Sequence, residues 1–106
     1  MLTFIESSVF ARYLPDYLSD EEYAALQWFL AAHPEAGRVI RGTGGVRKLR
    51  WSAGGRGKRA GVRVIYYAKQ RIGEIWLLTI YGKNVRESIP RHILRKMKEA
   101  FENVGG

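Results

Sequence analysis

The sequence predicts an α+β domain, with helices packed on one face of a mostly antiparallel, twisted sheet. Three observations predict it. Apolar residues recur at helical spacing over the first third of the chain and again near its end. Beyond Gly37 the period shortens toward two, the period of a strand with one buried face. The 74–81 stretch is almost wholly apolar, which suits a central strand buried on both faces.

Taken in order, Leu2 to Ile5 is a short apolar run and reads as a strand. Ser7 or Ser8 then caps a helix whose stripe is Phe10, Tyr13, Leu14 and Tyr17, at i, i+3, i+4 and i+7. Pro15 makes the end of that helix irregular. Ser19 and Glu22 form a capping box for a second helix, and Asp20 and Glu21 suit the positive end of its dipole. Its stripe is Tyr23, Leu26, Phe29 and Leu30, and His33-Pro34 ends it. Arg38 to Arg41 is a short strand, and Gly42 to Gly45 a turn. From Val46 to Ser52, Leu49 and Trp51 point one way while Lys48 and Arg50 point the other. Residues 53–61 form a basic, glycine-rich loop, Val62 to Ala68 a strand, Lys69 to Gly73 a turn, and Glu74 to Tyr81 the buried strand. Pro90 opens a last helix with the stripe Ile93, Leu94, Met97 and Phe101. The order is β-α-α-β-β-β-β-α, in one domain over residues 1–106. Trp28, Trp51, Trp76, Tyr66 and Tyr67 are read as core or sheet-edge residues.

The charge is strongly uneven. The chain of 106 residues has a formal charge of +8. Between Ala36 and Gly73 there is no acid, but eleven Lys or Arg. The first 35 residues hold one basic side chain against six acids. Such a field implies a polyanionic partner, because neutralised phosphates release counterions. Cysteine is absent, which removes disulfides, thiolate zinc sites and a cysteine nucleophile, and suits a reducing compartment. No apolar run reaches the roughly 18 residues of a membrane span, and the start MLTFIESS lacks a basic n-region. A cytoplasmic protein with no membrane partner is therefore expected.

Three constellations carry chemistry. Lys48 and Arg50 share a strand face, and Arg63 lies on the next long strand. If those strands pair as a hairpin, the three cations meet on one open face. The pattern has two readings, a solvated sheet face or an anion site, since crowded cations repel unless an anion joins them. The segment Gly54 to Gly61 carries Arg56, Lys58 and Arg59 among glycines that let a backbone approach closely. It lacks Walker-loop spacing, and reads either as a mobile hairpin loop or as a nucleic-acid backbone contact. Tyr81-Gly82-Lys83-Asn84 follows the buried strand. Lys83 and Asn84 suit phosphate, and Tyr81 is either a core-edge residue or a base-stacking one. His33 and His92 do not make a metal pair at ligand spacing, and no carboxylate cluster joins them, so neither a metal nor any other cofactor is expected.

The element order, the segment GTGGVRKLRW (42–51), the run GKRAGVRVIYY (57–67) and the strand LLTIYGKN (77–84) together resemble the RelE/HigB group of bacterial toxins from type II toxin–antitoxin modules. The resemblance spans nearly the whole chain and is closest over Gly42 to Asn84. It implies a compact RelE-like domain that acts as an mRNA interferase, an endoribonuclease cutting mRNA in the ribosomal A site without metal. Lys48, Arg50, Arg63 and Lys83 are the implied catalytic residues. Arg47, Arg56, Lys58, Arg59, Tyr81 and Asn84 are the expected RNA or ribosome contacts. The chain has Asn84 where RelE has an arginine and Pro90 where RelE has a tyrosine, so the resemblance carries over no acid for the leaving 5′-oxygen. The implied partners are the ribosome, mRNA and a cognate antitoxin with a HigA-like helix-turn-helix. DNA is met only through that antitoxin. Two other readings use the same residues: a non-catalytic RNA- or ribosome-binding module, and a ParE-like toxin directed at gyrase.

Overall fold

A computed structural model describes residues 2–52, 61–85 and 88–105. The expected loop contacts Arg56, Lys58 and Arg59 lie outside the described residues. The described elements are β1 (Thr3–Glu6), α1 (Ser8–Tyr17), α2 (Asp20–Ala32), β2 (Arg38–Val39), β3 (Arg47–Trp51), β4 (Val62–Lys69), a 3-10 turn (Gln70–Ile72), β5 (Glu74–Gly82) and α3 (Arg91–Gly105). The strands form one sheet in the order β1-β5-β4-β3-β2. β1 runs parallel to β5, and the other pairings are antiparallel.

The helix starts follow their caps. The Ser7 hydroxyl accepts from the Phe10 amide at 2.9 Å. Ser19 and Glu22 close a reciprocal capping box, at 3.1 and 2.8 Å. Pro15 lies inside α1 without breaking it, and the helix runs to Tyr17. Pro15 has no amide to offer the Ala11 carbonyl, and the Leu18 amide still reaches the Leu14 carbonyl at 3.0 Å.

The helices do not share one face of the sheet, as the sequence had suggested. α1 and α2 bury Phe10, Leu18, Leu26 and Leu30 against Leu49, Val64, Tyr66, Ile75 and Leu77. α3 covers the opposite face, placing Leu94, Met97 and Phe101 over Ile65, Trp76, Leu78 and Tyr81. The reason is legible in β5. Every residue from Ile75 to Tyr81 is buried, and a strand apolar on both faces needs cover on both. Phe101 stacks on Trp76 with ring centroids 5.1 Å apart, which anchors the far end of α3.

Trp28 departs from its expected place, being 78% exposed. It follows Leu26 by two positions, about 200° around the helix, so it faces away from the stripe that packs on the sheet. β2 is shorter than expected, ending at Val39. The chain then turns through Gly42, Gly44 and Gly45, all at positive φ. Buried Thr43 locks the turn, donating to the Ile40 carbonyl at 2.6 Å and accepting from the Val46 amide at 3.1 Å.

Candidate functional site

The β3–β4 register decides which cations meet. Lys48 pairs with Ile65, Arg50 with Arg63 and Trp51 with Val62. Paired residues share a face, so Lys48, Arg50 and Arg63 all emerge on the side of Ile65, the side that α3 covers. The hairpin assumed from the sequence is present, and it brings the three together. Directly opposed residues hold their Cβ atoms about 5 Å apart, so Arg50 and Arg63 are neighbours. The Arg63 guanidinium lies near Gly61, its Nη1 3.8 Å from where a Cβ there would stand.

The face is not open along its whole length. Lys48 is half-buried, and lines a cavity of about 370 Å³ between the sheet and the start of α3. Its other walls include Ile40, Ile65, Tyr81, Ile89, Leu94 and Arg91. Arg50 is exposed and Arg63 half-buried, at the end of the face beyond this cavity.

Tyr81 reaches this face because β5 is irregular. Ile65 pairs with Thr79 and Tyr66 with Leu77, so Leu78 has no direct partner on β4. One extra residue inverts the alternation that follows. Without it, Tyr81 would share the face of Leu77. With it, Tyr81 pairs with Arg63 and joins the cation face, buried to 6% exposure. Ser7 secures the bulge: its hydroxyl donates to the Leu78 carbonyl at 2.8 Å, and its amide donates to the Leu77 carbonyl at 3.0 Å.

Lys83 and Asn84 are exposed in the turn after β5, two and three residues beyond Tyr81. That turn closes through the Val85 amide on the Gly82 carbonyl at 3.0 Å. Arg47 stands apart from the cluster. It pairs with Tyr66 and faces the other side of the sheet. Its Nη1 donates to the carbonyls of Gly37 and Glu35, at 2.7 and 3.1 Å, so its guanidinium fixes the approach to β2.

Two cations that sequence analysis did not single out stand beside the cluster. Arg38 pairs with Lys48 across β2–β3 and shares its face. Nothing in a two-residue strand announces that register. Arg91 lines the Lys48 cavity from the first turn of α3. In sequence it reads as an ordinary surface charge on a helix. Among the described residues no group of three His, Cys, Asp or Glu is placed to hold a metal ion. No helix among them is long and apolar enough to cross a membrane.

No family model matches the chain. Among solved structures, the free-state structure of a double arginine-to-alanine mutant of the E. coli toxin RelE is similar over 92% of this chain and 96% of that one. The TM-score is 0.55 and the sequence identity 15%. Among the described residues five strands form one mostly antiparallel sheet with three helices packed on it, and the chain has the RelE toxin fold.

Proposed function

We propose that this chain is the toxin of a type II toxin–antitoxin module, a ribosome-dependent mRNA interferase that cuts mRNA in the A site without metal. The observation that carries the reading is the grouping of Lys48, Arg50 and Arg63 on one face of two adjacent strands, in a RelE-like fold.

The residues suit the chemistry. In RNA cleavage the 2′-oxygen attacks the phosphorus, the bond to the 5′-oxygen breaks, that oxygen leaves with a proton taken from water, and negative charge builds on the phosphoryl oxygens between. Lys48 is assigned as the base that takes the 2′-hydroxyl proton. Arg50 and Arg63 present planar forks to the phosphate and stabilise its developing charge from fixed positions. Lys83 adds a cation from the turn after β5. Holding the message in place converts a chance encounter into an oriented one, and the ribosome supplies that positioning. The site of action is therefore the cytoplasm.

An active nuclease of this kind needs an inhibitor, assigned here to a cognate antitoxin with a HigA-like helix-turn-helix. An acidic segment on it would gain fast association with a +8 protein. Its bulk alone would bar entry to the A site even with the cation cluster uncovered.

Expression of this chain alone is expected to arrest bacterial growth, and co-expression of the neighbouring gene to restore it. In a purified translation system, cleaved mRNA ends should form with ribosomes and not without them. Vigorous growth with abundant soluble protein and no cleaved ends would return the chain to a binding module. Growth arrest with altered DNA supercoiling and intact mRNA would make it a gyrase poison.

A further inference from the structure

We propose that the Lys48 cavity and the arginines that open α3 form a second nucleotide subsite, holding the nucleoside and phosphate next to the phosphate that is cut. This rests on the nuclease reading for which of the two phosphates is broken. The binding surface itself is argued from the geometry below.

The cavity of about 370 Å³ lies at the small end of the roughly 300–1,000 Å³ range of ligand pockets. Ile40, Ile65, Ile89 and Leu94 make it mostly apolar, which suits an unstacked base. One wall is Lys48, two residues or about 7 Å along β3 from Arg50. The facing wall is Arg91.

Arg91 does not stand alone. Its Cδ lies 3.6 Å from where a Cβ on Gly42 would be. Arg95, one helical turn on, donates from Nη1 to the Gly42 carbonyl at 2.6 Å. Both side chains therefore converge on the same turn, with Arg41 preceding it in the chain. Like charges four residues apart weaken a helix. Among the described residues no carboxylate forms an ion pair with Arg41, Arg91 or Arg95, and the ion pair of Lys98 with Glu102 lies further along α3. The bond to Gly42 engages one of the five guanidinium donors of Arg95.

A nucleotide chain repeats phosphate, base, phosphate. This surface repeats the Arg50/Arg63 pair, an apolar cavity, then the Arg91/Arg95 pair, in that spatial order. An acidic protein segment would match the charges but would leave the apolar cavity between them unexplained.

The test is a binding titration on the whole chain with two probes. One is a 5′-phosphorylated deoxydinucleotide, which has two phosphates and no 2′-hydroxyl to be attacked. The other is its 5′-mononucleotide. The dinucleotide is expected to bind roughly tenfold more tightly, as one further charge-assisted phosphate contact provides. Arg91→Ala/Arg95→Ala should abolish that gain. Arg91→Lys/Arg95→Lys should keep part of it, and keeps the test alive where the alanine variant fails to fold. Equal binding of the two probes by the wild type, or a gain that survives in a folded double-alanine variant, overturns the subsite. So does a glutamate peptide of the same charge binding as tightly as the dinucleotide. Cleavage assays on the same protein report separately. A dinucleotide gain without cleaved mRNA keeps the subsite and sinks the nuclease, and cleavage without the gain does the reverse.

Discussion

Arg50 on β3 and Arg63 on β4 stand directly opposite one another, on the sheet face that α3 covers. Like charges so opposed weaken a sheet, by about 0.2–1 kcal/mol on the usual scale of cross-strand pairs. Two facing arginines are thus a poor choice for folding and a good one for gripping a phosphate. Arg63→Ala is expected to lower mRNA cleavage by roughly 100-fold or more, as loss of a phosphate-clamping group does. Its thermal midpoint should hold or rise slightly, since the repulsion goes with it. Cleaved ends mapped on ribosome-bound message and a melting curve check both. A folded Arg63→Ala or Lys48→Ala protein with full cleavage would sink the assignment.

Much of this site was legible from period alone. Lys48, Arg50 and Arg63 alternate with Leu49, Trp51, Val62 and Val64, and that pattern fixes the face once the hairpin forms. The Ser19 cap was legible, and the first cap was narrowed to Ser7 or Ser8, because N-cap chemistry is local. Three features were not legible. The bulge at Leu78 has no sequence mark, because apolar residues fill both faces of β5 and alternation there says nothing about parity. The cover of α3 on the cation face depends on which side the last helix returns to, a tertiary choice. Arg38 joins the cluster only through a two-residue strand whose register follows from packing.

Ser7 links the cap of α1 to the bulge in β5. Its hydroxyl caps α1 and also donates to the Leu78 carbonyl at the bulge. Ser7→Ala removes both bonds and leaves the Leu78 carbonyl without that donor. A loss of about 1–2 kcal/mol is expected, from one cap and one hydrogen bond. For a chain of this size that is a fall of several degrees, on the order of 4–8 °C per kcal/mol. A melting temperature within a degree of wild type would show that the bulge holds without Ser7.

The loop cations Arg56, Lys58 and Arg59 supply charge with no base-reading geometry in their sequence. Replacing all three with alanine is expected to weaken ribosome binding and flatten its salt dependence. For contacts to single-stranded RNA the logarithmic slope should drop by about 2, at roughly 0.7 per phosphate contact. Titration at several salt concentrations measures it. An unchanged slope removes the loop from the interface.

Tyr66 and Tyr23 are expected to make the fold sensitive to alkaline pH. Fully buried, Tyr66 donates to the Pro34 carbonyl at 2.8 Å and accepts from the Gly37 amide at 2.9 Å. Burial pushes its ionisation up, and the Gly37 amide and the Arg47 guanidinium only partly offset this. Tyr23 is pushed up as well, by burial and then by the Glu6 carboxylate to which it donates at 2.6 Å. Both phenols therefore hold their protons more tightly in the folded chain than in the unfolded one. Their contribution is complete below the unfolded tyrosine value of about 10. Above it the unfolded chain sheds protons first, and stability falls as pH rises toward the folded values. Denaturant unfolding at neutral pH and above about pH 10 should show that decline. Tyr66→Phe leaves the Pro34 carbonyl and Gly37 amide unpaired, and is expected to cost about 1–3 kcal/mol at neutral pH. It should also make the alkaline decline shallower, and adding Tyr23→Phe shallower still. A double variant that loses stability with pH as steeply as wild type would place the alkaline limit elsewhere in the chain.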